Sequence, residues 1–345
     1  MKLGIIGTGM IVQEFLPFLL KLKGMEIIGI QGNTMSKAKE LCKRNGISYA
    51  CSNFEELYET GIDTVYIAVP NYLHYNYCKM ALEKGIHVIV EKPITSNLQE
   101  ALSLKSLAAR KERFLFEAVT TLYLGNYKKI KEWLPRIGKI KIVQSQYSQY
   151  SRRYDAFCDG QVLPVFDPEK AGGAMMDLNL YNLHFVMGLF GEPVLTKYYA
   201  NIERKIDTSG ILIMQYPEFQ AFCLAAKDCR GNAGAVIQGT NGYIKTESAP
   251  NIIGKVTLEL NDGTIEEFDD NMAKTRLIPE FTSFIRAINE KDILFCQSML
   301  EKSIAVSRIQ TEARLKAKIR FPADETEKNE FIQMAIDVAH YHHEK

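Results

Sequence analysis

In the first 120 residues, short β-rich apolar runs alternate with stretches whose apolar residues recur at helical spacing. The runs cover residues 2–6, 26–30, 64–69, 86–90 and 113–116; the helical stretches cover 11–22, 36–45, 54–60, 73–84 and 98–111. Strands that follow one another through helices make βαβ units, so this α/β part is predicted to be a doubly wound, Rossmann-type parallel sheet. Gly46 and Gly85 stand where two of the helices should stop, supplying the left-handed residue of a C-terminal cap.

Beyond residue 120 the pattern changes, because strand-like runs now succeed one another through turns: 139–150, 194–203, 210–216, 219–226, 235–239, 242–246, 255–260 and 264–268. Asn241-Gly242 and Asp262-Gly263 are hairpin-favouring pairs. A mainly antiparallel sheet follows, with helices expected at 177–190, 278–289, 298–316 and 325–340, hence an α+β domain. The predicted division is residues 1–120 and residues 121–345, packed to leave a cleft.

Composition narrows the classes. The 46% hydrophobic and 24% charged residues are those of an ordinary globular enzyme-sized chain. A formal charge of +1 leaves no global field for nucleic acid or an anionic membrane, so an anionic ligand must be held locally. Seven scattered cysteines without C-x-x-C spacing fit reduced thiols in the cytoplasm. No stretch approaches the roughly 18 to 20 apolar residues of a membrane span. On the predicted strands, Ile211, Ile213, Phe222 and Leu224 alternate with neighbours that are not consistently polar, which predicts burial on both sheet faces and therefore a homodimer or homotetramer.

Candidate chemistry begins at the first βα turn, Gly7-Thr8-Gly9-Met10-Ile11, where glycines allow backbone N–H groups at a helix start to hold a pyrophosphate. Val12 replaces the third glycine of the full dinucleotide fingerprint, so this turn alone is a weak signal. The second strand ends in Gly32-Asn33-Thr34 with Lys37 beyond, and without the carboxylate that favours NAD, which tilts the cofactor from NAD towards NADP. Two later stretches, Ala68-Val69-Pro70-Asn71-Tyr72-Leu73-His74 and Val90-Glu91-Lys92-Pro93, end predicted parallel strands, where open α/β sheets bind ligands.

With these two stretches the sequence resembles the family of glucose–fructose oxidoreductase, inositol dehydrogenase and the rhizopine-catabolism oxidoreductases. The resemblance extends through Gly172-Gly173 to Asp177, Asn179 and Tyr181, and covers almost the whole chain. It implies that Glu91, Lys92 and Pro93 close the nicotinamide side, commonly with a cis lysine–proline bond, and that Lys92 meets the reacting oxygen. Asp177 and Tyr181 would complete the catalytic set, Tyr181 standing where the family carries an acid/base histidine. A lysine beside a phenol favours the phenolate and so lowers its pKa. Ala68, Pro70, Asn71 and His74 are expected around the dinucleotide. Tyr123, Tyr154 and Asn179 are expected near a sugar-like substrate. Thr120 and Leu122 replace the tryptophan and arginine that relatives carry, which removes a basic contact and argues against an anionic substrate. His184 reads as a core residue, and the terminal His340, His342, His343 and Glu344 as a solvated tail, so no metal is expected.

The implied activity is hydride transfer between a nicotinamide and a sugar or polyol hydroxyl or carbonyl. Two alternatives stay open at this point: a redox-neutral sugar reaction on tightly bound NAD, and a non-catalytic NAD(P)-sensing regulator.

Overall fold

A computed structural model describes residues 1–270 and 275–325. The alternating first third builds β1 (Lys2–Ile6), α1 (Met10–Leu19), β2 (Glu26–Gln31), α2 (Met35–Asn45), β3 (Tyr49–Cys51), α3 (Phe54–Glu59), β4 (Thr64–Ile67), α4 (His74–Glu83), β5 (His87–Glu91), α5 (Leu98–Lys111) and β6 (Leu115–Ala118). The strands are parallel in the order β3-β2-β1-β4-β5-β6, with the turn after β1 near the middle of the sheet. Both faces are covered, so the strands read as near-continuous apolar runs, as in β4 and β6, where every residue is buried. The caps behave as expected: Gly46 has φ 69° and Gly85 φ 76°.

The remainder forms α6 (Gly125–Trp133), β7 (Ile140–Ser148), α7 (Arg152–Cys158), a π-helical turn Met175–Asn179 leading into α8 (Leu180–Phe190), β8 (Leu195–Glu203), β9 (Ile206–Gln215), β10 (Gln220–Ala226), β11 (Gly234–Gly239), β12 (Gly242–Thr246), β13 (Val256–Leu260), β14 (Ile265–Phe268), α9 (Leu277–Glu290) and α10 (Ile293–Lys316). The second sheet has the order β14-β13-β12-β11-β7-β10-β9-β8, antiparallel except where β10 runs parallel to β7. Its inner face, with Val143, Leu212, Met214, Cys223 and Ile237, packs on α8 and on Val306, Ile309 and Ala313 of α10.

The last helices return to the first sheet. Phe281 and Phe284 of α9 join the core with Phe15, Tyr66 and Phe116, while Leu300 and Ile304 of α10 join the opposite core with Leu104 and Leu115. α10 therefore serves both sheets, its first half against one and its second half against the other. Strand β3 was not anticipated, being three residues long, and neither were α6 and α7; the helix expected over 325–340 lies outside the described residues. Among the described residues no helix is long and apolar enough to cross a membrane.

Candidate active site

At the end of β1 the ligand-facing surface is backbone. Gly7 has φ +122°, and a Cβ there would collide with the Ala68 carbonyl oxygen, so the close approach of two neighbouring strand ends requires glycine. Gly9 is the opposite case: a Cβ there meets nothing within 4 Å. As the cap of α1 it has no side chain to occupy the first helical N–H groups, which leaves them aimed at open space together with the positive end of the helix dipole. The Thr8 carbonyl is held by Gln13 Nε2 at 2.9 Å, and Gly32 packs on the Thr8 side chain. Exposed Met10, Asn33 and Lys37 border this surface, with partly exposed Ile11. These residues fit a dinucleotide's diphosphate and ribose.

At the ends of β5 and β10 the surface is charged side chain. Lys92 Nζ reaches Asp177 Oδ1 at 2.7 Å, and Lys227 Nζ bonds the other oxygen, Oδ2. One carboxylate thus bridges two ammonium groups, leaving a net positive charge. Lys92 also lies 5.0 Å from the centre of the Tyr181 ring, which in turn faces Tyr147 with centroids 6.1 Å apart. Asp177 sits within the π-helical turn rather than in a regular α-helix. The Asp207 carboxylate accepts the Met175 N–H at 2.6 Å, and Gly173, at φ +102°, lies too close to Asp207 for any side chain. The Lys92–Pro93 peptide is cis.

Burial alone would raise the Asp177 carboxyl and lower the Lys92 ammonium. The attraction of Lys227 and Lys92 holds Asp177 far below the usual carboxylate range, and Asp177 with Tyr181 holds Lys92 above the usual lysine range. For Tyr181 the balance is reversed from the expectation. Burial pushes its phenol well up, and the opposing pull of Lys92 does not offset it, so the ring stays protonated at neutral pH.

Several expected neighbours face elsewhere. His74 is fully buried, with Nδ1 2.7 Å from the Pro93 carbonyl and Nε2 2.9 Å from that of Val69, so it ties two strand ends together and offers no atom to a ligand. Tyr123 is packed between Phe284 and Phe295 in the first sheet's core, and Asn179 is buried against Asn182; neither meets the cleft. Ala68 is also buried, at the strand end beneath Gly7. The Glu91 carboxylate accepts the Tyr66 hydroxyl. Asn71, after exposed Pro70, donates to the Ala171 carbonyl at 2.9 Å, across to the second part of the chain. Tyr154 bonds Glu203 and packs on Phe166.

Two cavities flank Asp177. One, about 460 Å³, is lined by Pro70, Asn71, Arg153 and Lys170; the other, about 530 Å³, by Met10, Tyr150, Arg152, Arg153 and Lys227. The cleft is therefore basic, contrary to the expectation drawn from Thr120 and Leu122. Thr120 is buried and bonded to the Asn251 carbonyl, so that position does not face the cleft. A larger cavity, about 1090 Å³, lies at the opposite ends of the strands beside Phe114 and Leu294, remote from this cluster. Lys227 was missed in the sequence; its only signal is a charge closing an apolar strand, and it reaches Asp177 because β10 packs against the π-helical turn that carries Asp177.

Residues 1–119 match the oxidoreductase family with an NAD-binding Rossmann fold, and residues 127–245 match the GFO/IDH/MocA C-terminal domain. The chain is 32% identical over 329 residues to the scyllo-inositol 2-dehydrogenase (NADP(+)) IolU of Bacillus subtilis, covering 94% of this chain and 99% of that protein. The chain belongs to the GFO/IDH/MocA oxidoreductase family. Membership makes it an NAD(P)-binding oxidoreductase. A trans-1,2-dihydrobenzene-1,2-diol dehydrogenase of Xenopus tropicalis is 27% identical, covering 72% of this chain and 75% of its own. The fold is shared with the 3-ketoreductase KijD10 of Actinomadura kijaniata in complex with NADP and TDP-benzene, at TM-score 0.78 and 19% identity, covering 93% of this chain and 98% of that one. It is also shared with the aldose-aldose oxidoreductase of Caulobacter crescentus, at TM-score 0.76 and 17% identity, covering 92% and 98%.

Proposed function

We propose that this family member interconverts a hydroxyl and a carbonyl on a sugar or polyol, with NADP as hydride partner and Lys92, Asp177 and Tyr181 as the catalytic set. The carrying observation is the Lys92–Asp177–Lys227 bridge beneath Tyr181, because its surplus positive charge faces the place where an alkoxide would form. A bound nicotinamide supplies or accepts the hydride. Lys92 stabilises the substrate oxygen as its charge develops, and the protonated Tyr181 phenol donates the proton, which suits reduction near neutral pH. Asp177 holds the Lys92 ammonium in place.

In this reading residues 1–120 hold the dinucleotide, with the diphosphate on Gly7, Thr8, Gly9, Met10 and Ile11, the ribose at Gly32, Asn33 and Lys37, and the nicotinamide by Pro70, Asn71, Glu91 and Lys92. Residues 121–345 supply the substrate side, with Tyr154 at its margin, and the contact of a homodimer or homotetramer. Exposed Tyr199, Ile211 and Ile213, with half-buried Phe222 and Leu224, lie on the outer face of the second sheet and support that contact. A cytoplasmic setting is supported by seven free cysteines. NADP is favoured by the lack of a carboxylate after β2 and by the cofactor printed in the name of the Bacillus relative.

The direct test follows NADPH absorbance with a panel of inososes, ketoses and keto-sugars, and NADP with the corresponding alcohols. Absence of turnover across the panel would overturn the reading. A tenfold preference for NAD in parallel titrations, about 1.4 kcal/mol, would reverse the cofactor assignment.

A further inference from the structure

On the core side of the charged cluster, a second chain of contacts links the same elements. Ile94, two residues after Lys92, donates its N–H to Glu117 Oε1 at 2.8 Å. Glu117 belongs to β6, and its other oxygen stands 3.2 Å from Nε2 of His184, both side chains being almost completely buried. The approach is not aligned as a hydrogen bond, and neither ring nitrogen of His184 makes another among the described residues, so the link is a close electrostatic contact. His184 follows Tyr181 by three residues on α8, close to one helical turn. The Lys92 loop is thus joined to the Tyr181 helix twice, by Lys92–Asp177 facing the cleft and by Ile94–Glu117–His184 behind it.

A buried polar contact of this kind adds little net stability, because taking polar groups out of water costs about as much as the contact returns. What it does fix is geometry, since removing either partner leaves a buried polar group uncompensated. The rest of the loop is pinned in the same manner, Pro93 by His74 and Glu91 by Tyr66.

We propose that Glu117 and His184 are positioning residues, a buried strut that sets the separation between the Lys92 loop and the Tyr181 helix without touching substrate. The proposal rests on the catalytic reading of Lys92 and Tyr181 given above. Burial would raise the Glu117 carboxyl, but His184, Ser303 and the Ile94 N–H bring it below the usual carboxylate range, so the strut is anchored on a carboxylate.

The test uses the full-length protein with Glu117→Gln, His184→Gln and the pair combined. NADPH affinity, read by fluorescence, and the fraction of sites that bind it should stay within twofold of wild type. The kcat per NADPH-binding site should fall tenfold or more, and the primary isotope effect with 4-deuterated NADPH should rise. The double variant should lose no more than the worse single. Unchanged kcat per binding site, or losses that multiply in the double, would overturn the proposal. Should the polar variants not fold, Glu117→Leu with His184→Leu removes both groups together, and wild-type kcat in that protein would overturn it equally. Crystal structures give a readout that needs no substrate: the Lys92–Asp177 separation, 2.7 Å in the intact protein, should open beyond hydrogen-bond reach. An unchanged separation refutes the strut. An opened separation with no turnover on any substrate keeps the strut and refutes the catalytic reading.

Discussion

After β1, what faces a ligand is backbone and an absent side chain at Gly9; after β5 and β10, it is three charged groups and a phenol gathered from distant parts of the chain. The first region depends on local conformation, since a glycine turn and a helix start are enough to aim N–H groups. The second depends on tertiary structure, since residues 92, 177 and 227 meet only when both sheets are in place. Recognition of the cofactor and chemistry on the substrate should therefore be separable by mutation.

The largest separation is expected for Lys92→Ala, which should cut kcat by about 10³-fold, the scale of losing a directly contacting charge-stabilising donor. NADPH affinity measured by fluorescence should change less than about threefold, because the diphosphate is held by distant backbone groups. The mirror image is Gly9→Val. It should weaken NADPH binding by about a hundredfold or more while leaving Tm nearly unchanged, since its Cβ meets only open space. Gly7→Ala sharpens the contrast within one turn: a left-handed alanine costs about 1–2 kcal/mol before the collision with Ala68, so it should lower Tm as well.

Tyr181→Phe comes next, with a loss of about 10² in kcat, at the lower end for general acid catalysis. Retention of most activity would reduce the phenol to a pocket wall. Lys227→Met should cost about tenfold, less than the 10²–10³ of a contacting donor, because Lys227 acts through Asp177.

The smallest effect concerns pH. Asp177, depressed in the folded chain, contributes stability above its unfolded value of about 3.9 that is lost only as pH falls through the folded value. Lys92, elevated, contributes below about 10.4 and loses its contribution as pH rises through the folded value. Neither Asp177 nor Lys92 thus changes charge from about pH 5 to 9, and Tm should not change there on their account. Glu100 is different: burial pushes it up to about 7, so its contribution is present at low pH and is lost as pH rises through 7. Glu100→Gln should flatten the decline of Tm between pH 5 and 8, as followed by calorimetry.

Legibility in the sequence follows the same division. The first sheet was readable, apart from the three-residue β3, because its strands are largely buried apolar runs joined through helix-periodic stretches, and α5 was read to the residue. The second sheet's hairpins were readable from Asn241-Gly242 and Asp262-Gly263. Lys92 and Asp177 were legible through resemblance, but which side of a segment meets the cleft was not. Tyr123 and Asn179 are polar residues in promising stretches, yet packing of α9 and a partner in Asn182 turn them inward. Lys227 was not singled out for the site because nothing local shows that strand β10 ends beside residue 177. The raised phenol of Tyr181 was likewise invisible, since burial is a property of the assembled cleft.

The return of α9 and α10 to the first sheet bears on how the protein can be divided. A fragment ending near residue 120 would carry every strand of the parallel sheet but would bare Phe15, Tyr66, Phe116 and Leu115, which the returning helices cover. Such a fragment would expose a broad oily surface and should aggregate on expression, whereas mild proteolysis of the intact chain in surface loops should leave the two halves associated. The nucleotide-binding part is therefore contiguous in the gene but expected not to be autonomous in solution.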